Sequence, residues 1–317
     1  MKKFIISFIL FFIFFLILII ALGRNYHLSA EKSDYMAAII DKHALLERTS
    51  PPRLILAGGS NLAFGIDSKR IEDSIGLPVI NLGLHGGLGL DFIINEIKLS
   101  AKPKDIVIIS IEYYLPIDGV YTLKKNAASF LFFANRFYKH NYCIDLKSIF
   151  FEEMQINIHN NITYLFKKDI NVKTNFDTSS IYARSSFNLH GDVVRHLNKP
   201  LPGKLTDKRN FTYTKWDGVK SLNEFSEYAK SNNIKVYFVF PNYPESEFIL
   251  NKEVFIKYAS DLKQELEIPI LNNPDDFVFA DSLFFDTVYH LNKKGREKRT
   301  NLLIKVLLAN NIGKPFN

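Results

Sequence analysis

Residues 53–61 read Arg-Leu-Ile-Leu-Ala-Gly-Gly-Ser-Asn. Four apolar residues, Leu54 to Ala57, form a strand-like run that breaks on two glycines and then a serine. Glycines there permit a tight strand-to-helix turn and keep bulk away from whatever approaches Ser60. A helical pattern follows from Asp67, with Asp67 or Ser68 as its N-cap and Gly76 as its C-cap. A strand, a glycine turn and a helix are the grammar of an open α/β sheet. In such sheets, ligands bind at the carboxyl ends of the strands.

The same alternation continues outward. Val79–Gly83 is a second strand, followed by a glycine-rich turn and a helix over 90–100. Asp105–Glu112 is an almost unbroken apolar run, as expected of a strand buried on both faces of a parallel sheet. Ile234–Phe240 is a fourth strand, ended by Pro241, and a helix over 251–267 leads to a short fifth at 268–271. A last helix runs from Asn292 to about Asn310. The expected fold is therefore an α/β, doubly wound, three-layer parallel sheet occupying residues 51–317. Segment 117–230, rich in aromatics, Asn and Lys, interrupts the alternation with helical pieces near 126–138, 160–168 and 219–231. It reads as a long insertion of the kind that carries specificity or a lid.

Residues 4–22 carry Ser7 as their only polar side chain. Nineteen helical residues span about 28 Å at ~1.5 Å each, close to the hydrocarbon thickness of a bilayer. Lys2 and Lys3, in a cytoplasmic tail of residues 1–3, favour an N-in, C-out orientation. A cleaved signal ending at Ala21-Leu22-Gly23 is the alternative, though signal cores are usually shorter. Either way the remainder is expected outside the cytoplasm, with a juxtamembrane linker over 23–50 that has a helical tendency at Tyr35–Ile40 and is ended by Pro51-Pro52.

With 47% apolar and 23% charged residues, the chain can build a substantial core. Its single cysteine, Cys143, excludes an internal disulfide and any cysteine-rich zinc site. His159, His190 and His196 lack ligand spacing, so no metal is expected, and nothing in the chain calls for a cofactor. The net charge of +7 comes from dispersed lysines and fits a solvated surface or attraction to anionic lipid or glycan. No nucleic-acid module is present in the sequence. The Asn161 and Asn210 sequons carry weight only in a eukaryotic secretory context.

Three groups of residues could do chemistry. Ser60 is the candidate nucleophile, with Asn61 beside it. Asn81-Leu-Gly-Leu-His-Gly-Gly87 follows the second strand, so its glycine amides can face Ser60 and, with the Ser60 amide, bind an oxyanion. Phe284–Asn292 contains Asp286 and His290: a base for the serine and an acid to hold that base's tautomer. The same stretch is also good helix-start grammar, with Asn292 as N-cap. A polar loop, Arg184–Asp192, could contact substrate or could be a capped surface turn.

Together these motifs resemble the SGNH (GDSL-like) hydrolase superfamily, and most closely its membrane-anchored branch in bacterial envelope polysaccharide systems. The resemblance extends over most of 53–310 but rests on about twenty motif residues. It implies Ser60, Asp286 and His290 as the catalytic residues, and the Ser60 and Gly83 amides as oxyanion donors with Gly86 as fallback. The implied activity is that of a serine esterase or O-acyltransferase acting on acyl, most plausibly acetyl, groups of an envelope polysaccharide. Its partners would be an acylated glycan or acyl donor and the membrane, with protein partners unspecified.

Two departures accompany the match. Asp and His stand four apart rather than three, and Glu112 stands where the family has a neutral Asn donor. An ionised Glu cannot donate to an oxyanion, although a protonated one could. Glu112 could instead pair with a cation such as Arg184. These departures support the alternative of a non-catalytic SGNH-like glycan-binding or assembly module. Asn61, Gly86, Glu112 and Arg184 are the substrate-side candidates.

Overall fold

The computed structural model describes residues 1–131, 137 and 179–313, with the side chains of residues 19, 20 and 22–30 outside the description. Cys143, His159, the Asn161 sequon and the helical piece expected over 160–168 lie outside the described residues, as does most of 132–138.

Four strands, β1 (Leu54–Gly58), β2 (Val79–Asn81), β3 (Ile106–Ser110) and β4 (Lys235–Phe238), form one parallel sheet in the order β2-β1-β3-β4. Leu54 lies opposite Val79 on one side and Ile106 on the other, and Ile109 lies opposite Phe238. The chain thus winds outward from β1 in one direction and then returns past it in the other. The reversal falls between β1 and β3, directly beside the Gly58-Gly59-Ser60 turn.

Ten helices accompany the strands among the described residues. They are α1 (Lys2–Ser33), α2 (Ala38–Arg48), α3 (Ser60–Gly65), α4 (Ser68–Ile75), α5 (Gly89–Ser100), α6 (Tyr121–Phe130), α7 (Gly218–Ser231), α8 (Glu245–Leu250), α9 (Lys252–Glu265) and α10 (Lys293–Ala309). Alternate residues of the strands feed opposite layers, as a period of two requires. Ile55, Ala57, Val107 and Ile109 pack with Leu90 and Ile97 of α5, Leu222 and Phe225 of α7, and Phe255 and Leu262 of α9. Leu54, Leu56 and Ile108 pack with Ile71 and Ile75 of α4 and Leu303 and Leu307 of α10. Each such side chain contributes about 1.5–3 kcal/mol by leaving water. The chain is therefore an α/β protein with a four-stranded parallel sheet flanked by helices.

Local signals account for several boundaries. Asp67 caps α4 by accepting from the Arg70 amide, and Gly76 ends it at a φ of 68°, where an L side chain is disfavoured. Asn292 caps α10 by accepting from the Gly295 amide. At the amino ends of β1 and β3, fully buried Arg53 pairs with fully buried Asp105 at 3.0 Å. The Leu46, Thr49 and Ser100 carbonyls take its remaining donors, which offsets part of the cost of burying the charge.

Two expectations are corrected. The fifth strand at 268–271 is reduced to one parallel bridge, Phe238 to Ile270. Within the stretch read as juxtamembrane, α1 runs unbroken to Ser33, α2 follows, and Met36, Ala37, Ala38 and Ile39 are buried in the body. Helix α7 packs on the sheet as the crossover into β4, so the insertion ends before residue 218. A second small parallel pair joins β5 (Tyr243–Pro244) to β6 (Val278–Phe279).

In α1, the side chains from Phe4 to Leu18 are exposed, Phe4 at 75% and Phe8 at 62%. Among the described residues no helix is long and apolar enough to cross a membrane. The 4–22 run lies only partly within the described side chains.

Candidate functional site

The site gathers at the carboxyl ends of β1 and β3. Gly59 is extended at the N-cap of α3 (φ −91°, ψ −154°), and Ser60 opens that helix, half-buried. Gly59 leaves room for the Glu112 side chain: a Cβ there would fall against the Glu112 carboxylate, which would have to shift.

His290 and Asp286 meet in the loop before α10. His290 Nδ1 lies 2.8 Å from Asp286 Oδ1, and His290 is only 5% exposed. With the Nδ1 proton held by the carboxylate, Nε2 keeps the lone pair that a general base needs. The Thr287 hydroxyl accepts from the His290 amide at 3.1 Å and closes the turn. The four-residue spacing of Asp286 and His290 is therefore no obstacle to pairing.

The aromatic ring of Phe64 stacks on the His290 ring, with centroids 3.9 Å apart and planes 7° apart. Phe64 is one helical turn beyond Ser60 in α3, so this contact brings the serine turn to the Asp–His pair. Among the described residues no hydrogen bond joins Ser60 Oγ to His290. Such bonds are often long in unliganded sites and shorten only on substrate binding.

Tyr182 completes the cluster. Its hydroxyl donates to Asp286 Oδ2 and lies 3.3 Å from His290 Nδ1. Burial alone would raise the Asp286 carboxyl, but the His290 hydrogen bond and charge and the Tyr182 hydroxyl hold it below its ordinary value. His196, its ring tilted against Phe64, donates from Nε2 to the Leu291 carbonyl at 2.9 Å. Burial pushes it down to about 4, so it is neutral near pH 7.

Glu112 occupies the space between the Ser60 turn and the glycine loop after β2. Its Oε1 accepts from the Asn61 amide at 3.2 Å, and a Cβ built on Gly86 would lie 2.9 Å from its carboxyl carbon. Its Oε2 is buried without a hydrogen-bond partner among the described residues. A carboxyl group thus sits where oxyanion donors were expected to converge.

The other sequence candidates divide. The Gly83 amide donates to Asn81 Oδ1 at 2.9 Å, so the structure gives it an internal acceptor rather than leaving it free toward Ser60. The Asn61 side chain is fully buried, held between the Ser110 carbonyl and Arg299. Arg184 does not reach Glu112: its guanidinium binds Asp41 at 2.7 and 2.8 Å and the Glu31 carbonyl at 2.8 Å.

Sequence reasoning passed over Phe64, Tyr182 and Arg299. Arg299, on α10, is 1% exposed and donates to the Asn61 backbone and side chain, Asn242 and Ser110. Burial pushes its guanidinium down to about 9, with the Glu112 charge opposing the drop. It fixes the serine turn from behind. The sequence offers no sign of this, because Arg299 is 238 residues from Asn61.

Among the described residues no group of His, Cys, Asp and Glu could hold a metal ion. No known family model matches the chain, and no curated protein matches it.

Proposed function

We propose that this chain is a membrane-anchored, extracytoplasmic serine esterase or O-acyltransferase of SGNH type, acting on acyl groups, acetyl first among them, of an envelope polysaccharide. The observation that carries this reading is the Asp286–His290 hydrogen bond, stacked through Phe64 on the helix that Ser60 opens. Ser60 attacks the acyl carbonyl while His290 Nε2 takes its proton. Asp286 holds the resulting imidazolium, and the Ser60 amide faces the developing oxyanion. His290 then returns the proton to the departing sugar oxygen, leaving acyl-Ser60. Water or a second sugar hydroxyl, deprotonated by His290, collects the acyl group. Hydrolase and transferase differ only at that step. The exposed apolar side chains of α1 support the anchor, since such a surface is unfavourable in water.

Labelling of the full chain in detergent with a fluorophosphonate tests the nucleophile. Wild type is expected to react and Ser60→Ala to remain unlabelled. Equal labelling of both, or of neither, refutes the serine mechanism.

A non-catalytic, glycan-binding or assembly module is favoured by two observations. Glu112 fills the oxyanion region, and the Gly83 amide is already engaged. Saturable binding of acylated glycan, without turnover or labelling, would identify that role.

A further inference from the structure

We propose that Tyr182 is a positioning residue that sets the orientation and charge of Asp286, and through it the basicity available at His290. This rests on the serine-enzyme reading above for its catalytic consequence, but not for the interaction itself. A carboxylate that orients a histidine has two oxygens, and the second needs its own partner if the group is not to rotate. Here Asp286 Oδ1 faces His290 Nδ1 at 2.8 Å, while Oδ2 accepts the Tyr182 hydroxyl. The two partners approach opposite oxygens, so the plane of the carboxylate is pinned from both sides. The Tyr182 oxygen also lies 3.3 Å from His290 Nδ1, closing a three-membered cluster.

Tyr182 is itself held in place. The next residue, Ala183, forms an antiparallel bridge with Asp34, the first residue after α1. Its ring packs at 5.9 Å from Tyr35 and 5.7 Å from Phe64. Tyr35 in turn donates its hydroxyl to the Leu84 carbonyl in the loop after β2 at 2.9 Å. The turn that leaves α1 therefore supports the residue that grips Asp286. Tyr182 remains 46% exposed, and its hydroxyl is the part turned to the dyad. Burial and the Asp286 carboxylate raise its phenol above the ordinary value, so it stays a protonated donor throughout the working pH range.

Several charged or titratable groups face Asp286: His290 from its own loop, His196 from the turn at 195–198, Tyr182, Tyr35 from the turn after α1, and Asp207 toward the Tyr182 hydroxyl. Only His290 and Tyr182 hydrogen-bond the Asp286 carboxylate among the described residues. Removing the Tyr182 hydroxyl takes away a stabilising hydrogen bond to the ionised form, so Asp286 should protonate more readily.

The test uses the full chain in detergent micelles with ¹³C-carboxyl-labelled aspartate, the Asp286 signal being assigned by its loss in Asp286→Asn. Tyr182→Phe keeps the ring and should raise the Asp286 midpoint by roughly 0.5–1 pH unit. Tyr35→Phe removes a neighbouring hydroxyl that does not touch the dyad, and should leave the midpoint in place. An unmoved midpoint in Tyr182→Phe, or an equal shift in Tyr35→Phe, overturns the assignment. In the fluorophosphonate assay, Tyr182→Phe should also slow labelling at Ser60 by about 10–100-fold, with its acid limb moved upward. Labelling as fast as wild type overturns the catalytic consequence. A wild type that does not label at all refutes the serine mechanism, while the carboxyl titration still decides the positioning role.

Discussion

Replacing Lys42 with Met should abolish a rise in stability that the wild type shows between neutral and alkaline pH. Lys42, on α2, is 2% exposed, and its ammonium donates to the Asn81 carbonyl at 2.8 Å and the Gly191 carbonyl at 2.6 Å. No carboxylate is hydrogen-bonded to it among the described residues. Burial therefore lowers it from 10.5 to about 7, against the opposing pull of Asp192, Glu96 and Asp41. At roughly 1.4 kcal/mol per pH unit, this places a cost of about 5 kcal/mol on folding with the lysine charged.

The unfolded lysine keeps its proton up to about 10.5, whereas the folded one loses it above about 7. The unfolded state thus binds more protons in that window, and stability rises with pH across it. Between pH 7 and 9.5 the rise should be about 3 kcal/mol. Lys42→Met leaves two carbonyls without a donor, at a cost of about 1–3 kcal/mol, but that cost does not vary with pH.

Urea unfolding of the full chain in micelles reads the effect through Trp216, the only tryptophan, whose indole donates to the Leu115 carbonyl in the core. Arg299 and the buried tyrosines titrate alike in both proteins, so they cancel in the difference. Wild-type and Lys42→Met curves that run parallel to within 1 kcal/mol or so would refute the argument. The residue matters to the site because the same Asn81 whose carbonyl it holds engages the Gly83 amide.

Other outcomes follow from the geometry. Glu112→Gln places a neutral donor beside the Ser60 turn, and should preserve or raise the fluorophosphonate labelling rate; a loss of more than tenfold would show that the carboxylate itself is needed. Gly59→Ala drives a methyl group against the buried Glu112 carboxylate and should cost about 1–3 kcal/mol in urea unfolding, most of it recovered in Gly59→Ala/Glu112→Ala. Additive costs in that cycle would mean the clash lies elsewhere. Ser60→Ala and His290→Ala should each reduce turnover of an acyl sugar by about 10³-fold or more, the double variant being no worse than either. Asp286→Asn should be milder, and full activity in Ser60→Ala would remove the serine from the mechanism.

What could be read along the chain was what depends on near neighbours. The apolar runs at 54–57 and 105–112 declared strands, the second as one buried on both faces, and both lie in the sheet. Asp67, Gly76 and Asn292 marked helix ends because caps act within three or four residues. Asp286 and His290 could be paired for the same reason, being one turn of chain apart. The strand at 268–271 misled because four apolar residues do not say how many backbone partners the sheet edge will offer: the Pro269 carbonyl and the Leu271 amide both bond to Phe238, and the pairing stops at that one bridge.

The rest was decided by contacts between distant segments. Tyr182 reaches Asp286 across 104 residues, and Arg299 reaches Asn61 across 238. No periodicity records such meetings, since each depends on where the sheet and its crossovers bring the side chains. Glu112 is the clearest case. The sequence placed a carboxylate at the end of the third strand, but only the packed turns of Gly59 and Gly86 show it buried against the serine loop, with one oxygen unpartnered among the described residues. Gly83 runs the other way: its place in the chain suited an oxyanion donor, yet its amide is claimed by Asn81, because a buried N–H takes the nearest acceptor the fold provides.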